Sequence, residues 1–202
     1  MNILKVGLLL AMTTSILGCE ANKERKEAEQ ATSSSQSQSD EEVVKEVAPS
    51  VTNVDASVTS HVQEIVNHYI HVKTALVNSN SAEAKTGARM ITNVISGFDK
   101  SQLPAAHKPE YDKSVAGISK TAQTIAAESD LEKQRTGFAD LSNSVYSLVK
   151  AFGAEKPLYH DHCPMALNDN GAMWLSEVKE IRNPYFGEEM MECGTVEEVI
   201  KR

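Results

Sequence analysis

"LEKQRTGFADLSNSVYSLVKAFG", residues 131–153, decides the first reading of the fold. Leu131, Phe138, Leu141, Val145, Leu148 and Phe152 recur at spacings that alternate between three and four after the first heptad. An α-helix gathers such residues into one apolar stripe. Ser129 and Asp130 stand where a cap is needed. Gly153 suits a left-handed stop, and Pro157 lies just beyond it.

The same pattern recurs upstream. Val58, Val62, Ile65, Tyr69, Val72 and Leu76 make one stripe. "VNSNS" interrupts it, and Asn80 or Ser81 then caps a second helix bearing Ala84, Ala88, Ile91, Val94, Ile95 and Phe98, with Glu83 in its first turn. "DKSQLPAAHKPE" contains two prolines and reads as a loop. A third stripe follows at Tyr111, Val115, Ile118, Ala122 and Ile125. Four amphipathic segments joined by short connections predict an antiparallel four-helix bundle over residues 58–153 and an all-α chain. No clear two-residue alternation precedes residue 157. His61, His68 and His71 line one edge of the first helix; they read as its polar flank, with a secondary metal-loading site as the other reading.

The N-terminal end has a different character. "MNILKVGLLLAMTTSILGC" has one cation, Lys5, before an apolar run too short for a membrane span. Leu17-Gly18-Cys19 resembles the bacterial lipobox, which implies a signal peptide over 1–18 and a diacylated Cys19 anchoring the mature protein to a membrane of the cell envelope. An ordinary secreted chain is the other reading. Without Lys5 the mature chain has 28 acidic and 19 basic residues, and no Lys/Arg cluster suggests nucleic acid. "EANKERKEAEQ" and "ATSSSQSQSD" are charged or low-complexity, so residues 19–57 read as a disordered tether.

After Gly153 the chain holds its only tryptophan, three spaced prolines and the turn signal "NDNGA". Residues 154–202 read as a loop-rich Cys/Met module, with "TVEEVIKR" as a short terminal helix capped by Thr195. Cys163-Pro164-Met165 and Met190-Met191-Glu192-Cys193 each join a thiol to a thioether. Soft ligands of this kind suit copper(I), with silver similar. The expected ligands are Cys163, Met165, Met190 and Cys193, with His162 and then Met191 in reserve, and their sulfurs should converge within about 5 Å. Tyr159, Trp174, Tyr185 and Phe186 would form an apolar wall around them. Zinc held by Cys163, Cys193, His160 and His162 lacks a familiar spacing. A Cys163–Cys193 disulfide is the alternative.

"CPMA…GAMWLS…EIRNPYFGEEMMECG" resembles the C-terminal signature of a bacterial domain of unknown function, found in Bacteroidetes-type lipoproteins and appended to some copper/silver efflux adaptor proteins. "HYIHVKTALVNSNSAEAKTGA" resembles the first helix pair of that family, so the likeness spans roughly 58–202. It implies a helical protein of periplasmic copper handling, partnered by an efflux adaptor or another envelope protein, with Cys163, Met165, Met190 and Cys193 as the group to watch. His162 and Met191 depart from the family pattern. The functional expectation is a membrane-tethered copper(I)/silver carrier or efflux accessory. The alternative is a non-metal interaction module of an envelope complex with a Cys163–Cys193 disulfide. An enzyme is not expected, because no nucleophile is paired with a base at recognisable spacing and no phosphate-cradling loop or "HExxH" is present.

Overall fold

The computed structural model describes residues 44–202. The expected signal peptide, Cys19 and most of the expected tether lie outside the described residues. The order is β1 (Lys45–Val47), α1 (Ala56–Val77), α2 (Ser81–Gly97), α3 (Lys108–Ala127), α4 (Leu131–Phe152), β2 (Leu158–Cys163), β3 (Ala172–Ser176) and β4 (Thr195–Ile200), with short helical turns at Lys100–Gln102, Ala166–Asp169 and Gly187–Glu189.

The four long helices fall where their stripes predict. Each packs on its neighbour in sequence, and α1 closes the ring on α4. The stripe residues of α1, α3 and α4 are buried, Leu131 alone being partly exposed, and Ala84, Ala88 and Ile91 supply α2's share of the core. Capping follows local chemistry. Asn80 Oδ1 accepts from the Glu83 amide at 3.1 Å, and Asp130 Oδ1 from the Lys133 amide at 3.0 Å. Gly153 ends α4 with φ of +76°, and a Cβ there would stand 2.9 Å from Pro49.

The all-α expectation is corrected by a four-stranded mixed sheet in the order β1-β4-β2-β3. β2 pairs antiparallel with both β3 and β4, and β1 joins β4 in parallel. The segment read as loop-rich therefore forms three strands. "TVEEVI" is a strand rather than a helix, for a reason visible in its pairing. His160 faces Glu198 while Asp161 faces Val196, so Glu197 is an extra residue in a β-bulge. The bulge shifts the alternation by one position, and Val196, Val199 and Ile200 acquire a helix-like spacing in a strand.

The last stretch of the expected tether is also structured. Lys45–Val47 forms β1, and the Lys201 amide donates to the Val47 carbonyl at 2.7 Å. The Ser50 and Val51 amides donate to the Lys150 and Ala151 carbonyls, both at 2.9 Å, which satisfies acceptors that the last turn of α4 leaves open.

One core runs through helices and sheet, from Val58 on α1 to Trp174 and Leu175 on β3 and Ile200 on β4. The outer edge of β3 is sealed by two tyrosines. The Leu175 amide donates to the Tyr69 hydroxyl at 2.9 Å, and the Tyr185 hydroxyl donates to the Met173 carbonyl at 2.6 Å. No described helix is long and apolar enough to cross a membrane.

Candidate functional site

β2 organises the site because its side chains alternate between two environments. Asp161 and Cys163 point to one face and are fully buried, whereas His160 and His162 point to the other and are partly exposed.

On the first face Cys163 forms a disulfide with Cys193, their Cα atoms 5.7 Å apart. This is the alternative pairing expected from sequence. The two proposed thiolate ligands are thus bonded to each other, which leaves neither with a free lone-pair-bearing thiolate in this state. Met165, 46% exposed, opens the turn after β2. Met190 and Met191 are partly exposed in the turn before Cys193, whose amide donates to the Met190 carbonyl at 3.3 Å. His162 lies on the opposite face of β2 from Cys163, so the reserve ligand is not grouped with the sulfurs. Among the described residues, no group of three or more His, Cys, Asp and Glu side chains is placed to hold a metal ion.

The aromatic wall is mainly core. Trp174 and Tyr185 pack edge to face at 6.0 Å, and Tyr185 meets Phe138 of α4 at 5.9 Å. Phe186 packs against the same core, and Tyr159 is partly exposed on β2.

Asp161 was not singled out by the sequence. It is 0% exposed, it pairs across the strands with Trp174, and neither carboxylate oxygen makes a hydrogen bond within the protein, nor does Trp174 Nε1. Burial pushes its carboxyl up to about 7, against the charge of Lys73 and the nearby indole N–H. Lys73 is itself buried on α1 and donates from Nζ to Ser176 Oγ at 3.2 Å; burial lowers its ammonium, and Asp161 partly offsets this.

The second face gathers polar groups. Glu197, displaced by the bulge, places Oε2 3.5 Å from His160 Nδ1 and Oε1 3.2 Å from His162 Nδ1. His160 lies against the Tyr146 ring at 4.7 Å, and burial lowers its imidazole below the ordinary histidine range although Glu197 and Glu198 oppose this. Glu198 accepts from the Tyr146 hydroxyl at 2.7 Å and from Lys150 Nζ at 3.2 Å. Burial raises its carboxyl, and these bonds outweigh burial and hold it below the ordinary value. Glu197 escaped sequence reading because its partners come from another strand and its facing depends on the bulge.

The histidines of α1 serve separate contacts. His61 stacks on Phe98 at 3.9 Å and bonds the Tyr111 hydroxyl at 2.7 Å, and burial lowers it to about 4. His71 pairs with Glu83 at 2.9 Å. His68 is partly exposed.

These features define a disulfide-bridged α+β module, a helix ring carrying a small mixed sheet. Residues 65–157 match the family model described as "Protein of unknown function (DUF3347)", so the bundle carries a domain of unknown function. The match stops immediately before β2, and every residue of the C-terminal signature lies beyond it. No curated protein and no solved structure matches the chain.

Proposed function

We propose that this chain is a non-catalytic interaction module of the bacterial cell envelope, stabilised by the Cys163–Cys193 disulfide and working by binding a partner protein. The disulfide carries this reading. Such bonds persist in oxidising compartments, and here the bond fixes the turn before β4 to the end of β2. An efflux adaptor is the partner suggested by the family resemblance. Lipid attachment at Cys19 would hold the module at a membrane. If so, Cys19→Ala releases it into the soluble fraction or leaves the leader uncleaved. A variant processed at the same bond and equally membrane-bound would remove the anchor from the reading.

The test of the module itself is its thiol state and its copper chemistry. Protein purified under thiol-blocking conditions should carry Cys163 and Cys193 unblocked by the reagent, with a mass lighter by the two hydrogens lost on bridging. In that state it should not compete with a chelator for copper(I). Blocked Cys163 and Cys193 in native protein would overturn the disulfide-bridged reading.

Copper(I) or silver carriage is the second reading, favoured by one observation. Cys193 is partly exposed, and Met190 and Met191 lie in its turn. Reduction by a dithiol would cleave the S–S bond, oxidise the dithiol to its disulfide and leave two cysteine thiols beside soft thioethers. Under this reading the reduced chain competes for copper(I). Cys163→Ser or Cys193→Ser then weakens binding more than Met165→Leu or Met190→Leu, because a thiolate is charged and a thioether is not.

A further inference from the structure

We infer that residues 183–194 form a cradle that holds Cys193 against Cys163 whether or not the two are bonded, so that the pair exchanges reversibly with a dithiol while the module stays folded. This rests on the disulfide-bridged reading above and concerns how that bond opens and closes.

Asn183 is the centre of the cradle. It is 0% exposed and makes four hydrogen bonds inside the segment. Its amide donates to the Met191 carbonyl at 2.8 Å, and its Nδ2 donates to the Cys193 carbonyl at 2.7 Å. Its Oδ1 accepts from the Tyr185 amide at 2.8 Å, and its carbonyl accepts from the Gly187 amide at 3.1 Å. The cradle is fastened at both ends to elements outside it. Arg135 of α4, itself buried, donates from Nε to the Pro184 carbonyl at 3.2 Å. At the other end Thr195 pairs with His162, the residue before Cys163. Gly194 lies so close that a Cβ there would stand 3.1 Å from the His162 carbonyl and 2.8 Å from Trp174. None of these contacts passes through sulfur, so reduction removes none of them. Two thiols kept adjacent in this way react as an intramolecular pair, at an effective concentration far above that of free thiols.

The two sulfurs differ in access, for Cys163 is fully buried and Cys193 is partly exposed. A thiolate of the dithiol therefore attacks Cys193 Sγ, the S–S bond breaks, and Cys163 leaves with the bonding pair. The second thiolate of the dithiol closes on its own first sulfur and expels Cys193. The dithiol becomes a disulfide, its two protons pass through solvent to the two cysteines, and the reverse sequence restores the bond.

The test uses the full chain, with dithiothreitol as the dithiol, glutathione as the redox buffer and peptide masses to keep Cys19 apart from the pair. The reduced wild type should keep its helical spectrum, and the Asn183, Tyr185 and Gly187 amides should stay protected from hydrogen exchange at least a hundredfold over an unfolded chain. Asn183→Ala should lower the effective concentration of the two thiols at least tenfold. A residue that only stabilised the fold would weaken both redox states alike and leave that ratio unmoved. In Cys163→Ser the remaining Cys193 should react with an aromatic disulfide reagent at least tenfold faster than Cys163 does in Cys193→Ser. If Asn183→Ala does not fold, the amide protection of the reduced wild type decides. The inference is overturned if reduction leaves those amides unprotected, if Asn183→Ala forms the bond as favourably as the wild type, or if Cys163 reacts as fast as Cys193. Native protein whose Cys163 and Cys193 are blocked before any reduction would instead fail the bridged reading itself.

Discussion

Asp161 sets the residue scale. Its carboxyl stands at about 7 in the folded chain against an ordinary 3.8, because burial disfavours the charge. The folded state therefore holds this proton more tightly than the unfolded state does. The stability linked to it is complete below about pH 3.8 and is lost as pH rises through about 7. Asp161→Asn keeps the shape and removes the titration. At pH 8 the variant should be more stable than the wild type by up to about 4 kcal/mol, while the two converge toward pH 4. Urea melts across pH 4–8 measure this. A variant less stable at pH 8 would mean that the ionised carboxylate and Lys73 form a net stabilising pair.

At the scale of elements, two junctions hold the sheet to the helices. Tyr69 is fully buried on α1; it accepts from the Leu175 amide and shares a hydrogen bond with Ser142 on α4 at 2.8 Å. Tyr69→Phe preserves the ring and leaves the Leu175 N–H without its partner, which should cost about 1–3 kcal/mol in chemical denaturation. A change below about 0.3 kcal/mol would mean that another acceptor serves this amide. The second junction is β1. A chain beginning at residue 54 loses the pairing with β4 and the amides that close the end of α4. It should melt lower than a chain beginning at residue 44 and exchange the Lys201 amide faster. Equal melting and equal exchange would show that the arm adds nothing to the fold.

Over the whole molecule, the disulfide closes a loop that includes β3 and the turn before β4. Its removal by Cys163→Ser should cost about 2–5 kcal/mol, seen as a lower Tm in non-reducing buffer and as an equal loss on reducing the wild type. Similar melts for the reduced and oxidised wild type would make the bond dispensable to folding. The helices were legible because each buries one stripe, and a stripe of period 3.6 is written locally in residues such as Val62, Ile65, Tyr69 and Val72. The strands were not, because β2 hides His160 and His162 on a half-exposed face and Asp161 on a buried one, so its pattern of polarity matches neither period.

The sequence by itself determined the four helices, the pairs 80–81 and 129–130 from which their caps come and the stop at Gly153, since these depend on neighbours a few residues away; the structure selected Asn80 and Asp130. It also brought Cys163 and Cys193 forward as a pair, although their oxidation state stayed open. Tertiary structure alone decided that the two bond to each other, that a bulge turns Glu197 toward two histidines, and that Asp161 is enclosed beside Trp174. Each of these depends on which strand lies beside β2. That choice is made by burying Leu158, Leu175 and Ile200 in a core shared with the helices, and no local spacing records it.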